Sequence, residues 1–187
     1  MMLLAQPEPL WASSPATLEV MAATAVAAVV CVVVHYEVLN LVLRWLRTDL
    51  TIGRRAMIIV VLALLVAHVI EITLFGLGFA AVEAIWGARA GTLIGEHNRD
   101  IQDTFYFSGA TYTTVGFGDI VPVGPIRFMV ATEALTGLVL ITWSASFTFL
   151  IMQNRWRSVV RELRIEGAIS EREQHEREKQ SQSTPTE

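Results

Sequence analysis

The sequence predicts an all-α membrane protein. Three helices cross the bilayer, and a short re-entrant helix with a glycine-bearing loop dips in between the second and the third. Three observations carry this. The chain has 187 residues, of which 53% are hydrophobic and 17% charged, with a mean hydropathy of +0.48. Such values belong to integral membrane proteins and exclude an ordinary soluble domain. Three apolar stretches are long enough to span. Arginines collect at two places, within 44–55 and within 155–164, where two of these stretches end.

Composition says little about partners. The net charge of −4 is unevenly spread along the chain. The single cysteine, Cys31, sits in an apolar run, so no intrachain disulfide can form and no cysteine metal cluster is suggested. Nothing points to a nucleic acid, a soluble protein partner or a cofactor. The first residues, Met1-Met2-Leu3-Leu4-Ala5-Gln6-Pro7, carry no Lys or Arg. A cleaved signal peptide would have a basic start, so the first apolar span is read as retained.

The elements follow in order. Residues 1–16, with Pro7, Pro9 and Pro15, form an irregular extracellular leader. Residues 17–43 make an additional transmembrane helix rich in Ala and Val; about 26 residues at about 1.5 Å each reach about 39 Å, enough to span with some tilt. Its alanines suit close packing against another helix. The next connection holds Arg44, Arg47, Arg54 and Arg55 and is therefore cytoplasmic, which puts the N-terminus outside. A voltage sensor needs arginine at every third position of one apolar helix, and that spacing is absent.

The second span, 56–86, returns outward. A polar turret follows between Gly87 and Asp103, including Glu96, His97, Asn98, Arg99 and Asp100. Residues 103–113 form a short helix whose Asp103 and Thr104 can cap its free amides. Residues 119–125 read as a stiff exit loop, and 126–153 as the third span. Residues 154–187 are a cytoplasmic tail, amphipathic to about Ile169 and disordered beyond Ser170, where Glu, Arg, Gln and Ser dominate. The location implied is the cell inner (plasma) membrane, multi-pass, with the C-terminus in the cytoplasm.

The chain is organised around Thr113-Thr114-Val115-Gly116-Phe117-Gly118-Asp119. Gly116 and Gly118 permit backbone angles closed to residues with a Cβ, so that successive carbonyls can point one way. Here the sequence resembles the potassium channel pore-loop family, whose filter reads TVGYG or TVGFG followed by Asp. The resemblance covers roughly residues 56–153: an outer helix (56–86), a pore helix (103–113), the filter (114–118) and an inner helix (126–153). It implies that K⁺ is held at Thr114, Val115, Gly116 and Phe117, with Gly118 completing the filter, through backbone carbonyls and the Thr114 hydroxyl. No internal repeat is visible, so one chain supplies one filter strand. The family implies a homotetramer around a central pore, conducting K⁺ passively.

Other residues take roles from the resemblance or from their placement. Asp119 lies at the outer mouth, where a carboxylate ring would concentrate cations, or is simply a turn residue. Phe117 replaces the commoner Tyr and loses a phenol hydrogen bond, so rigidity is expected from packing against Tyr106 and Phe107. Gly137 resembles the inner-helix hinge glycine at a spacing one residue short; it is a hinge or a small residue easing helix packing. Helical spacing from there predicts Leu138, Ile141, Ala145 and Phe149 as pore-lining, with a gate at Phe149 as one option. The string Glu133-Ala134-Leu135-Thr136-Gly137 resembles the E-A-L-x-G of bacterial members. A buried carboxylate at Glu133 should be protonated or bonded to Ser108 or Thr111, bracing the filter.

His35, Glu37, His68 and Glu71 are ionisable groups inside spans, where such groups normally face protein or water. By helix rise His35 lies about 13 Å from Arg44 and His68 about 19 Å from Arg55, depths that permit contact between the first two helices. Mutual hydrogen bonding fixes helix packing in one reading, and proton sensing is the other. Rival functions are a nonselective cation channel, a non-conducting regulatory membrane subunit and a potassium transporter subunit. Transporter relatives carry four pore-loop repeats per chain and lack the full T-V-G-F-G-D.

Overall fold

The structure, a computed structural model, describes residues 15–48, 54–95 and 101–182. Most of the leader, the 49–53 connection, turret residues 96–100 and the last five residues of the tail lie outside the described residues.

Helix α1 (Pro15–Thr48) and helix α2 (Arg54–Trp86) have 34 and 33 residues. Each is longer than the roughly 20 residues needed to cross a bilayer core. Pro15 opens α1, where its fixed φ and missing amide proton cost nothing. The buried positions of α1 include Val20, Thr24, Cys31, His35, Leu39 and Val42; those of α2 include Val60, Leu64, Ala67, Glu71, Phe75, Phe79 and Val82. Steps of three, four and seven keep each set on one stripe. Elsewhere the two helices present Val26, Val29, Val33, Leu62, Leu65 and Val69 as exposed apolar residues. An apolar exterior of this extent is stable in lipid and not in water.

After a 3-10 turn at Gly87–Arg89 comes strand β1 (Thr92–Gly95), then the short helix α3 (Ile101–Tyr112), strand β2 (Ile120–Val123) and the long helix α4 (Arg127–Gln182). α1, α2 and α4 are each long and apolar enough to cross a membrane. Asp103 lies in the first turn of α3, where its charge complements the helix dipole.

β1 and β2 pair antiparallel, Thr92 opposite Val123 and Gly95 opposite Ile120. Two stretches read as turret and exit loop are thus joined in a two-stranded ribbon. Glu83 of α2 anchors it, accepting from the Thr92 hydroxyl (3.1 Å) and the Leu93 amide (3.0 Å). The ribbon ties the chain ahead of α3 to the chain leaving the Thr113–Asp119 loop. The core joins Val20 and Cys31 of α1, Phe75 and Phe79 of α2, Leu93, Phe107, Ile120, Met129 and Leu140.

Contacts divide the chain into two units, 1–145 and 146–187. In the second unit α4 stays helical to Gln182, through the stretch where composition predicts loss of order. Glu173 and Arg177 sit at i, i+4 there, and Glu, Arg, Gln and Lys are good helix formers.

Candidate functional site

Every residue from Thr113 to Asp119 is exposed in the single chain. Its backbone alternates in hand. Thr114 has φ 60°, Gly116 53° and Gly118 82°, whereas Val115 and Phe117 are not in the positive region. Alternation of left- and right-handed residues gathers successive amide protons on one side of the chain and carbonyls on the other. No backbone amide among the described residues donates to the carbonyls of Thr114 through Gly118. Space does not require the glycines, since a Cβ at Gly116 or Gly118 would meet nothing within 4 Å. Their conformation does.

The loop is held from its amide side. The Thr114 amide donates to Thr111 O (2.9 Å), the Gly116 amide to Ala110 O (3.0 Å), and the Thr113 hydroxyl to Gly109 O (2.7 Å). These bonds use free carbonyls at the α3 C-terminus, whose partial negative end faces the loop. At the far end Asp119 Oδ1 accepts from the Ile120 amide (3.0 Å) and Oδ2 from the Tyr106 phenol (2.8 Å). That bond to Asp119 holds the Tyr106 phenol above its ordinary pKa range.

Tyr106 also stacks on Phe117, with ring centroids 6.1 Å apart and planes 9° from parallel. Phe107 does not join them within the chain. It turns into the core edge-on to Phe79 at 5.4 Å. Neighbouring positions on a helix point about 100° apart, so one of the pair can face the loop and the other the core.

Glu133 of α4 is fully buried, and its Oε1 is hydrogen-bonded to Ser108 of α3. Ser108 Oγ also bonds the Ile72 carbonyl at 2.8 Å. A hydroxyl has one proton to give and a carbonyl has none, so the second proton comes from Glu133 as a carboxylic acid. Its Oε2 has no partner among the described residues, which a neutral acid tolerates far better than a carboxylate. Thr111, the other expected partner, makes no such bond. Gly137 lies one turn on, where a Cβ would meet the Tyr112 carbonyl oxygen and ring. Its place in the fold is a close approach of α4 to the end of α3. Leu138, Ile141, Ala145 and Phe149 are all exposed on α4.

A second polar centre lies deeper. His35 Nδ1 sits 2.8 Å from Glu71 Oε1, and His68 Nδ1 3.0 Å from Glu71 Oε2. The Tyr112 phenol donates to Glu71 Oε2 and is 2.9 Å from His68 Nδ1. Ser144 Oγ is 3.1 Å from His68 Nε2 and 3.3 Å from His35 Nε2. The depth argument thus places the two histidines correctly, with ring centroids 5.3 Å apart. Sequence reasoning missed Tyr112 and Ser144; a phenol ending the short helix and a serine within an apolar span were the available signals. Glu37 stands apart, exposed on α1.

Two curated relatives are similar in part. Protein LctB of Bacillus caldotenax is 40% identical over 40 residues, covering 21% of this chain and 30% of that protein. Protein LctB of Geobacillus stearothermophilus is 33% identical over 72 residues, 34% of this chain and 54% of that protein. The chain thus spans from under a third to about half the length of these relatives, and their name states no activity. No solved structure matches significantly. Residues 58–154, which contain α3, the alternating loop and its supports, match the ion channel family. That is more than half of the chain, and the protein therefore belongs to the ion channel family, as a multi-pass membrane protein with one additional apolar helix, α1, ahead of the channel domain.

Proposed function

We propose that the protein is a potassium-selective channel, passing K⁺ passively through a homotetrameric pore in the plasma membrane with its C-terminus in the cytoplasm. The observation that carries this reading is the alternating backbone of Thr114–Gly118, with its run of carbonyls free of backbone donors. Rings of such carbonyls replace the water shell of a dehydrated cation, the general account of potassium selectivity, which applies to this string. One chain offers one strand of oxygens, so a ring requires further copies around an axis. The exposed loop and the exposed apolar residues Leu138 and Ile141 of α4 are surfaces those copies would share.

Each support has a part in the mechanism. The Thr114 and Gly116 amides are spent on α3, which leaves the loop's carbonyls for the ion. Tyr106 fixes the outer end through Asp119 and Phe117, doing part of the work of the absent phenol at 117. Glu133 and Ser108 brace α3 from behind. Arginines at 44–55 and 155–164 set the orientation. Purified protein in liposomes under an outward K⁺ gradient should take up Rb⁺, and Ba²⁺ should block the uptake. Uptake of Na⁺ equal to that of Rb⁺ would mean a nonselective cation channel, and no uptake of either a non-conducting subunit.

A further inference from the structure

The polar centre of His35, His68, Glu71 and Tyr112 has no part in conduction as described above. We propose that it is a binding site for one divalent transition-metal ion of the Zn²⁺ class, ligated by His35 Nδ1, His68 Nδ1 and the Glu71 carboxylate, with the Tyr112 phenol oxygen as fourth donor.

The donor set comes first. Two imidazole nitrogens and a carboxylate oxygen lie within 4.8 Å of one another. Ligands of a tetrahedral ion at about 2.0–2.1 Å from the metal stand about 3.3–3.4 Å apart. The observed separations of 2.8 and 3.0 Å between the nitrogens and the carboxylate need only a small outward movement to admit an ion. Nitrogen and carboxylate ligands without thiolate suit Zn²⁺ and its neighbours, whereas Mg²⁺ and Ca²⁺ prefer all-oxygen sites. Glu71 and His35 are wholly buried and His68 is 16% exposed, so the ion would enter past His68.

The surroundings give a second argument. A metal-bound histidine hands its other ring proton to an outer partner. Here both Nε2 atoms converge on Ser144 Oγ, which can accept from the two together.

The consequence is a clamp. Tyr112 is the last residue of α3, directly ahead of Thr113 and Thr114, and its carbonyl is the group that Gly137 of α4 approaches. An ion here would pin the base of the alternating loop to α1 and α2, and would give the additional helix α1 a task in the channel. This inference does not depend on which cation is conducted.

The test uses full-length chain without an affinity tag, in detergent, stripped with a chelator and then titrated with Co²⁺ under equilibrium dialysis. One Co²⁺ per chain is expected, with the intense visible absorption of a four-coordinate site, and Zn²⁺ should displace it. The His35→Gln and His68→Gln variants keep a hydrogen-bonding amide and should lose the saturable site. Ser144→Ala should keep the stoichiometry and weaken affinity about 10–100-fold. His97→Gln with His175→Gln should bind as the native chain does. Zn²⁺ should raise the melting temperature of native protein and leave His35→Gln unmoved. Native protein that takes up no Co²⁺, or uptake that survives the paired His35→Gln and His68→Gln changes, would overturn the proposal.

Discussion

Replacing Glu133 by Ala tests the brace behind α3 most sharply. Losing a buried hydrogen-bond partner costs about 1–3 kcal/mol. Ser108 still donates to Ile72 in the variant, so the low end applies, about 1 kcal/mol. The void left between α3 and α4 adds about 1–2 kcal/mol, below the range for an aliphatic truncation because a polar group is no longer desolvated. A total of about 2–3 kcal/mol corresponds to about 4–12 °C in melting temperature for a chain of this size. Glu133→Gln behaves differently. Its amide can donate to Ser108 Oγ as the carboxylic acid does, so it should melt within about 2 °C of native protein. The assay is thermal unfolding of purified protein in detergent, followed by the emission of its five tryptophans. Two results would refute the reasoning: Ala at 133 with an unchanged melting temperature, or Gln falling as far as Ala. The first would make Glu133 dispensable, and the second would mean that it acts as an ionised carboxylate.

Three further predictions follow from the site. Gly137→Ala drives a Cβ into the Tyr112 carbonyl and should cost about 1–3 kcal/mol, seen as a lowered melting temperature with weakened conduction; an unchanged variant would show that α4 moves aside freely. Gly116→Ala puts a Cβ on a residue at φ 53° and should abolish selectivity or conduction while the protein still purifies as a stable assembly. Full selective flux in that variant would place the ion ligands elsewhere. For topology, Cys31 is buried and gives a low labelling background. A cysteine at Ser13 or Asn98 should react with an impermeant thiol reagent from outside, and one at Ser183 only from inside; labelling of Ser13 from the cytoplasmic side would invert the reading of the first span.

What the sequence made legible depends on the range of the interactions involved. The three long helices follow from composition and length, and arginine placement supplied an orientation to test. The loop was legible because positions 116 and 118 need glycine for their own backbone angles. The β1–β2 ribbon was not. Each strand has four residues, Pro122 interrupts one, and pairing joins segments far apart in the chain, a relation that no local pattern reports. Packing of both Tyr106 and Phe107 against the loop is the expectation from sequence; which of two adjacent aromatics faces the core is settled by Phe79, from another helix. His35 and His68 could be brought to similar depths by counting helix rise, and Glu71 follows His68 at i, i+3. Their closure by Tyr112 and Ser144 needs the packing of four helices, and polar residues of those types are common enough in spans to pass unremarked.

The central claim, that Thr114–Gly118 selects potassium, is tested most directly by a reversal potential. Purified protein in a planar bilayer would face K⁺ on one side and an equal concentration of Na⁺ on the other, with a shared anion. Potassium selectivity predicts a large reversal potential of the sign that opposes K⁺ flow, unchanged when the anion is replaced. A reversal potential at zero would contradict the account, since carbonyls that hold both ions equally are not a potassium filter.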